Sequence, residues 1–156
     1  MSKSTLATLA LLGLAGCSNS TSEGGAAQNR LSAEGAVTLY EEVCINTLPN
    51  FSGARKKLSK LGASPTRAGG RVLHIFKGMH ASFSVNTTGD KRVCTLIYSG
   101  DDWRGINTAL ARVGTPTSSG VFNVKGNETY QINTLSFFTP DGRNRPAVTV
   151  TIGTPK

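Results

Sequence analysis

The strongest constraint on the fold of this chain is a strict alternation of apolar and polar residues in two segments. Side chains of a β-strand point alternately to its two faces, so a period of two predicts a strand with one buried face. Polar residues separate the apolar ones in both runs, which predicts two such strands. The alternating apolar residues are Met79, Ala81, Phe83 and Val85 in one run and Val148, Val150 and Ile152 in the other.

Four further segments are predicted strands. Residues 92–99 are apolar at consecutive positions, which predicts a central strand covered on both faces. Residues 71–77, 120–125 and 129–139 are rich in β-branched and aromatic side chains. Polar turns connect several of these strands, at residues 88–91 and 140–145.

Three segments have the three- and four-residue apolar spacing of amphipathic helices. Ser32 is the predicted N-cap of the first helix, and Asn50 or Ser52 that of the second. Gly62 suits the left-handed residue that follows the end of the second helix. The predicted helices cover residues 32–47, 51–61 and 103–113.

These elements predict an α+β domain with an antiparallel sheet and helices on one face. The order of helix and strands also occurs twice, and an offset of about 55 residues aligns Val93 with Val148. The sequence therefore suggests a duplicated α-β-β-β unit, with chance agreement of short periodic patterns as the alternative. The helical stripe Trp103, Ile106, Leu110, Val113 lies 52 residues beyond the stripe Phe51, Ala54, Leu58, Leu61.

The N-terminal residues are typical of an export signal. Lys3 gives a positive start and is followed by an apolar run from Leu6 to Leu14. The run is shorter than the roughly 20 apolar residues that a membrane-spanning helix needs. We therefore predict that residues 1–16 are a cleaved signal peptide.

The apolar run ends in Leu14-Ala15-Gly16-Cys17, which resembles the lipobox of bacterial lipoprotein precursors. This resemblance implies that the thiol of Cys17 accepts a diacylglycerol, that cleavage precedes Cys17, and that acyl chains such as palmitate anchor the protein to a membrane. Ser18 stands where lipoproteins of the inner membrane usually carry Asp. The resemblance thus implies a lipid-anchored protein of the cell envelope, at the outer membrane facing the periplasm in a Gram-negative organism. The alternatives are a plain secretory signal and a chance cysteine.

The segment after Cys17 is predicted to be a tether. Residues 18–29 are small or polar, with Glu23 as the one acidic residue. Such a segment buries too little apolar surface to offset the entropy of ordering it. Residues 17–30 are therefore interpreted as a lipidated flexible tether, and residues 31–156 as a single α+β domain.

Two cysteines, Cys44 and Cys94, remain once Cys17 carries lipid. In an oxidising compartment such a pair is expected to form a disulfide. On the chain-entropy model, closing a loop of about 50 residues contributes on the order of 4 kcal/mol. The alternatives are two buried thiols or a metal site, but His74 and His80 have no recognised ligand spacing to either cysteine. We predict a disulfide, with no metal and no cofactor.

Residues 101–152 have a second similarity, to the α-β-β-β units of small outer-membrane-assembly lipoproteins and of β-lactamase inhibitor proteins. It rests on a helix that ends in Val113-Gly114-Thr115-Pro116-Thr117, the strands after it, and a Pro140-Asp141-Gly142 turn. Both families act by protein contact, so the resemblance implies binding without catalysis. The signature that opens the first helix of the assembly family is missing at residues 102–106, and no functional residue is carried over.

Motifs for catalysis are missing from the sequence. It contains no Gly-x-Ser-x-Gly elbow, no phosphate-binding Gly-Lys-Ser/Thr loop and no His-Glu-x-x-His. His74 and His80 are interpreted as two ordinary strand histidines, with a turn near residues 77–79 as the alternative. Asp101 and Asp102 could form a carboxylate pair. Directly before a helical stripe, however, they are predicted to be N-cap and first-turn acids.

The charge of the chain is strongly positive. It has 17 Lys and Arg against 9 Asp and Glu, a net charge of +8, and loss of residues 1–16 removes Lys3 alone, which leaves +7. Basic patches attract anionic partners, here lipid head groups or acidic proteins, although a solvated helix face is the alternative. Nucleic acid is not expected, because aromatic residues do not interleave with basic ones. The predicted basic face consists of Arg55, Lys56, Lys57 and Lys60.

Three functions are compatible with these observations. We interpret the chain as a membrane-anchored lipoprotein that acts as a non-catalytic protein- or envelope-binding module, which predicts an exposed apolar or basic patch on the sheet. The first alternative is an inhibitor of a secreted or periplasmic hydrolase, with a protruding loop such as residues 141–145. The second is an unrecognised enzyme, which requires a concave pocket that joins His74 or His80 to a carboxylate.

Overall fold

The structure is a computed structural model that describes residues 30–88, 91–139 and 144–154. The predicted signal peptide, Cys17 and nearly all of the predicted tether lie outside the described residues, as do residues 140–143. Short 3-10 helices at Ile45–Thr47 and Trp103–Gly105 accompany the main elements. These are, in chain order, α1 (Ala33–Val43), α2 (Ala54–Lys60), β1 (Ser64–Ala68), β2 (Arg71–Phe76), β3 (Ala81–Thr88), β4 (Lys91–Tyr98), α3 (Ile106–Leu110), β5 (Gly114–Ser118), β6 (Val121–Val124), β7 (Asn127–Phe138) and β8 (Pro146–Gly153).

The strands form one antiparallel sheet in the order β1-β2-β3-β4-β8-β7-β6-β5. At its centre β4 pairs with β8, and Leu96 lies opposite Val150. Both residues are fully buried, on the face where the helices pack. The predicted α+β class and antiparallel sheet are confirmed, with the sheet as the larger part of the fold.

The predicted disulfide is confirmed. Cys44 follows the last residue of α1, and its Cα lies 5.7 Å from that of Cys94 in β4. Both cysteines are fully buried. The bond fastens α1 to the central strand, beside Val37, Tyr40 and Val43, which are buried on the same helix.

Capping differs between the first two helices. The Ser32 hydroxyl accepts a hydrogen bond from the Gly35 N–H at 3.1 Å, which confirms Ser32 as the N-cap of α1. The prediction of Asn50 or Ser52 as the cap of α2 is wrong. The Asn50 side chain instead accepts from the Ser52 N–H at 2.9 Å and closes a turn before the helix, a local bond that short amide side chains commonly form. Gly62 has a φ of +88°, the left-handed conformation predicted for it.

The two edge strands, β1 and β5, were not predicted. Each contains a proline, Pro65 and Pro116, and β1 is exposed along its whole length. Proline cannot donate to a sheet ladder and is therefore confined to edges, first positions and bulges. These strands have no apolar alternation because neither of their faces is buried.

Strand β4 is central, as predicted, but it is not covered on both faces. Cys94, Leu96 and Tyr98 are buried under the helices, whereas the intervening residues are only half-buried. Val93 pairs with Gly153 and therefore lies on the opposite face of the sheet from Val148. The predicted alignment of Val93 with Val148 is wrong, because an odd offset exchanges the two faces.

Candidate functional site

A cleft of about 420 Å³ lies where β4 ends and β8 begins, and its most prominent side chains are arginines. We call it the arginine cleft. Four separate parts of the chain build it, so proximity in sequence does not reveal it. Its lining residues are Arg30, His80, Ser99, Gly100, Asp101, Trp103, Arg104, Arg145 and Pro146.

The floor of the cleft depends on a close approach between Gly100 and Tyr98. A Cβ atom on Gly100 would lie 2.0 Å from the Tyr98 hydroxyl oxygen and 2.3 Å from its ring carbon Cζ. Glycine is therefore required here by contact, since Gly100 does not have a positive φ. The chain passes directly over the Tyr98 side chain and brings Asp101, Trp103 and Arg104 to the cleft.

Asp102 anchors this segment to the start of α1. One carboxylate oxygen accepts a hydrogen bond from the Ala33 N–H at 2.7 Å, and the other is hydrogen-bonded to the Tyr98 hydroxyl. The same hydroxyl lies 2.6 Å from the Leu31 carbonyl oxygen, so its one proton serves two acceptors. Asp102 occupies the N-cap position of the 3-10 helix Trp103–Gly105, as predicted, but its side chain makes no capping hydrogen bond there and caps α1 instead. Asp101 pairs with Arg30, with a distance of 2.5 Å between Oδ2 and Nη1.

These contacts shift two pKa values. Burial of the Tyr98 hydroxyl raises its pKa, and the hydrogen bond to Asp102 raises it further. Burial alone raises the pKa of Asp102, but the hydrogen bonds from Ala33 and Tyr98 outweigh it and bring the net pKa below the ordinary value. Asp102 is therefore ionised at neutral pH and serves as an acceptor for both donors.

Arg145 and His80 lie side by side in the cleft. The Arg145 guanidinium nitrogen Nη1 is 3.4 Å from Nδ1 of His80. Both main chains are held: Thr139 N–H donates to the Arg145 carbonyl at 2.9 Å, and Ser99 N–H donates to the His80 carbonyl at 2.9 Å. Hydrogen bonds to neighbouring strands thus fix the two positions from which these side chains extend.

Arg104 stacks on Trp103. Its guanidinium carbon lies 4.8 Å from the centre of the indole ring, within the range of a cation–π interaction. The contact restrains the arginine side chain without neutralising its charge. Trp103 is also the only tryptophan of the chain.

The electrostatics of the cleft are positive. Its lining contains three arginines and one aspartate, so these four side chains carry a net charge of +2. Within residues 30–88, 91–139 and 144–154, the ion pairs are Arg30–Asp101 and Arg112–Glu41. Arg104 and Arg145 thus have no carboxylate partner in this part of the chain. A guanidinium remains charged at any physiological pH and binds anions through several N–H donors.

The two predicted histidines occupy different environments. His74 lies in β2, is 7 % exposed, and has no hydrogen-bond partner at either ring nitrogen. Burial lowers its pKa, and the positive charge of Arg55 lowers it further. His80 has a φ of +53° and ends the turn before β3. The prediction of two strand histidines is therefore wrong for His80, and the alternative, a turn near residues 77–79, is what the structure contains.

The predicted basic face of Arg55, Lys56, Lys57 and Lys60 lies on α2. Two of its members contact the protein's own main chain: Arg55 donates to the Val85 carbonyl at 2.9 Å, and Lys57 to the Glu42 carbonyl at 3.0 Å. Lys56 and Lys60 are exposed. The face does not include a residue of the arginine cleft, and its role in binding remains a prediction.

Comparison with protein-family models, with characterised proteins and with solved structures gives no match to this chain. Among the described helices, none is long and apolar enough to cross a membrane. The described residues likewise contain no group of three or more His, Cys, Asp or Glu side chains arranged to hold a metal ion.

Proposed function

We propose that this protein is a lipid-anchored lipoprotein of the cell envelope that binds an anionic group of a partner in the arginine cleft, without catalysis. The observation that carries the proposal is the convergence of Arg30, Arg104 and Arg145 on one cleft. Two of these guanidinium groups have no carboxylate partner in the described part of the chain. Arg104 is exposed and Arg145 half-buried, and clustered basic side chains of this kind create a positive potential that attracts anions.

The chemistry of the cleft supports binding. Guanidinium groups hold anions but do not exchange protons near neutral pH. His80 also lines the cleft, and its Nδ1 lies 3.4 Å from Nη1 of Arg145. Asp101 is the lining carboxylate, and it is paired with Arg30.

The exposed apolar side chains offer no comparable patch in the described structure. The large ones are Ile75, Leu135 and Phe138. Ile75 lies on β2, and three strands separate it from Leu135 on β7. Leu135 and Phe138 point to opposite faces of β7, because an odd number of positions separates them.

The disulfide supports the proposed location. Disulfides persist in oxidising compartments and are rare in the cytosol, so the Cys44–Cys94 bond agrees with export. The proposed organisation is a signal peptide at residues 1–16, lipid on Cys17 and a tether over residues 17–30. The domain of residues 31–156 is then held in the envelope, at the outer membrane facing the periplasm in a Gram-negative organism.

Affinity capture from crosslinked envelopes tests the role of the cleft. The full chain and a variant with Arg104→Gln and Arg145→Gln are compared, with Lys56→Gln and Lys60→Gln as a control that removes the same charge from the predicted basic face. We expect one protein or lipid to be enriched by the wild type and the control and lost with the cleft variant. Equal enrichment by all three overturns the cleft as the binding site.

Palmitate labelling tests the anchor. We expect the wild-type chain to incorporate radiolabelled palmitate and to partition into detergent, and Cys17→Ser to do neither. If both versions are processed alike and remain unlabelled, the proposed anchor is wrong.

An enzyme is the second candidate that a specific observation favours. The arginine cleft is concave and contains both His80 and the carboxylate of Asp101, the combination that the enzyme hypothesis requires. For the inhibitor hypothesis, only Asn144 and Arg145 of the loop at residues 141–145 lie within the described residues, and Arg145 lines the cleft. Turnover of the captured partner by the wild type that His80→Gln abolishes, with capture retained, would favour an enzyme.

We also propose that the domain arose by duplication of the predicted α-β-β-β unit, with one further strand at the edge of each half, β1 or β5. The strand order supports it, because each half runs from an edge to the centre, β1-β2-β3-β4 and β5-β6-β7-β8, and α2 and α3 precede the halves. Buried residues also correspond: Cys94, Leu96 and Tyr98 match Val148, Val150 and Ile152. The proposal predicts that the main chains of residues 54–98 and 106–153 superpose strand by strand. A different strand order in the best superposition contradicts it.

A further inference from the structure

We infer that the arginine cleft is a site for a phosphate monoester group, carried by a small molecule or a lipid head group. This inference rests on the proposed function and specifies its ligand. Three features of the cleft support it: its charge, the separate segments that supply its arginines, and the space beside these arginines.

Charge selects a dianion. Among the described lining residues, the pair of Arg30 with Asp101 is neutral, which leaves Arg104 and Arg145 as two uncompensated charges. A phosphate monoester carries about −1.5 to −2 at neutral pH, whereas a carboxylate or a phosphodiester carries −1. The monoester therefore matches the two free guanidinium charges.

The two segments that supply the arginines favour the same group. The two free arginines belong to different segments, since Arg104 follows β4 and Arg145 immediately precedes β8. A planar carboxylate has two oxygens and is satisfied by one bidentate guanidinium. The three terminal oxygens of a phosphate monoester point in different directions. They can therefore accept hydrogen bonds from two guanidinium groups and still accept one from Arg30 or His80.

The arginines are also held in place before a ligand binds. Arg104 rests on the ring of Trp103, and the main chain of Arg145 is hydrogen-bonded to Thr139 on both sides, as donor at 3.2 Å and acceptor at 2.9 Å. Preorganised donors lose less conformational entropy on binding. By contrast, Arg55 and Arg92, at a second cleft near the start of β4, donate to the carbonyls of Val85 and Asn50 and are thus used by the fold itself.

Space remains for the rest of the ligand. The cleft volume of about 420 Å³ lies within the range of roughly 300 to 1,000 Å³ typical of small-molecule sites. Pro146 and the edge of Trp103 offer apolar surface beside the arginines. The cleft therefore fits a phosphate together with the first atoms of the group that carries it.

The test uses Trp103 as a reporter, because it is the only tryptophan of the chain and lines the cleft. The purified full-length chain is titrated with inorganic phosphate, succinate and acetate at constant ionic strength, by tryptophan fluorescence and by calorimetry. Succinate carries two negative charges, as the phosphate dianion does, but lacks its tetrahedral oxygens. Acetate has neither the second charge nor the tetrahedral geometry. The same titrations follow for R104Q/R145Q and for the control K56Q/K60Q, after circular dichroism has established that each variant is folded.

We expect saturable phosphate binding, at least tenfold weaker binding of succinate, and at least a tenfold loss in R104Q/R145Q, in line with charge-assisted hydrogen bonds. The control should bind as the wild type does. If succinate binds as tightly as phosphate, the phosphate inference is overturned, while the proposed binding of anions stands. If no anion binds by either method, both the inference and the proposed cleft are overturned.

A vesicle experiment separates the two sources of phosphate. The Cys17→Ser chain is sedimented with phosphatidylcholine vesicles that contain phosphatidic acid, a monoester, or phosphatidylglycerol, a diester. Binding to phosphatidic acid that R104Q/R145Q removes supports a lipid head group. Binding of inorganic phosphate without this vesicle binding supports a soluble phosphorylated ligand. Equal binding to both anionic lipids contradicts the preference for a monoester.

Discussion

Asp102 accepts a hydrogen bond from the main-chain N–H of Ala33, 69 positions earlier in the chain, at 2.7 Å. Ala33 is the first residue of α1, so a side chain from the far end of β4 caps a helix at the start of the domain. The same carboxylate is hydrogen-bonded to the buried Tyr98 hydroxyl. This contact joins the helix layer, the central strand and the segment that forms the arginine cleft.

Asp102→Ala should therefore destabilise the fold by about 1–3 kcal/mol, because it removes a helix cap and an acceptor of the Tyr98 hydroxyl. The measurement is chemical denaturation monitored by circular dichroism. Asp101→Asn is the control, since it disrupts only the exposed pair with Arg30 and should cost about 0–1 kcal/mol. Equal losses for the two variants would refute a special role of Asp102.

The pKa of Asp102 makes the same contact sensitive to acid. Because the pKa in the folded state is below the ordinary value of 3.8, the contribution to stability is present above pH 3.8 and is lost as pH falls through the lowered pKa. Asp102→Asn should lose less stability than the wild type between pH 5 and pH 2. Denaturation midpoints measured across this range check the prediction, and parallel curves contradict it.

Gly100→Ala should destabilise the protein by about 1–3 kcal/mol, because the new methyl group overlaps the Tyr98 ring and hydroxyl. The Tyr98 side chain would have to move, at the expense of its hydrogen bonds to Leu31 and Asp102. Gly105→Ala is a matched control, since its Cβ would lie 3.4 Å from that of Ala33. Thermal unfolding of the two variants, together with Trp103 fluorescence as a readout of the cleft, measures the difference.

Reduction of Cys44–Cys94 should cost roughly 4 kcal/mol by the chain-entropy model, given the separation of 50 residues. Urea unfolding with and without a reductant measures the loss. A variant with both cysteines replaced by alanine should no longer respond to the reductant. If the reductant destabilises that variant as much as the wild type, the loss of stability does not come from the Cys44–Cys94 bond.

His74 should make the fold less stable under mildly acidic conditions. Its folded-state pKa is lowered from 6.5, so the unfolded chain takes up a proton first, and stability falls as pH decreases below 6.5. Protonation would place a charge in a buried position with no partner for either ring nitrogen. His74→Leu should lose less stability than the wild type between pH 7 and pH 5. The control His80→Gln should keep the decline.

The sequence predicted the interior strands well for a local reason. The alternation in β3 and β8 reflects burial of one face, and burial is visible in the residue types themselves. Edge strands β1 and β5 lack this signal, because exposed residues are under no such constraint and each strand contains a proline. The prediction that β4 is covered on both faces was wrong. Val93 and Ile97 are only half-buried, but the residue type alone does not distinguish them from fully buried residues.

The candidate site was not predictable in the same way. Arg55, Lys56, Lys57 and Lys60 formed the predicted basic face because they are close in the chain, but two of the four contact main-chain carbonyls of the fold. In contrast, the arginines of the arginine cleft, Arg30, Arg104 and Arg145, lie far apart in the chain. Pairing of β4 with β8 brings the last two together, and no local pattern encodes that pairing.

Periodicity, residue type and a few neighbouring positions were enough to predict the α+β class, the cysteine pair, the N-cap of α1 and the left-handed Gly62. The capping of α1 by Asp102, the need for glycine at position 100 and the grouping of three arginines in one cleft are visible only in the folded domain. These features depend on contacts between residues far apart in the chain, and such contacts exist only after the sheet has formed.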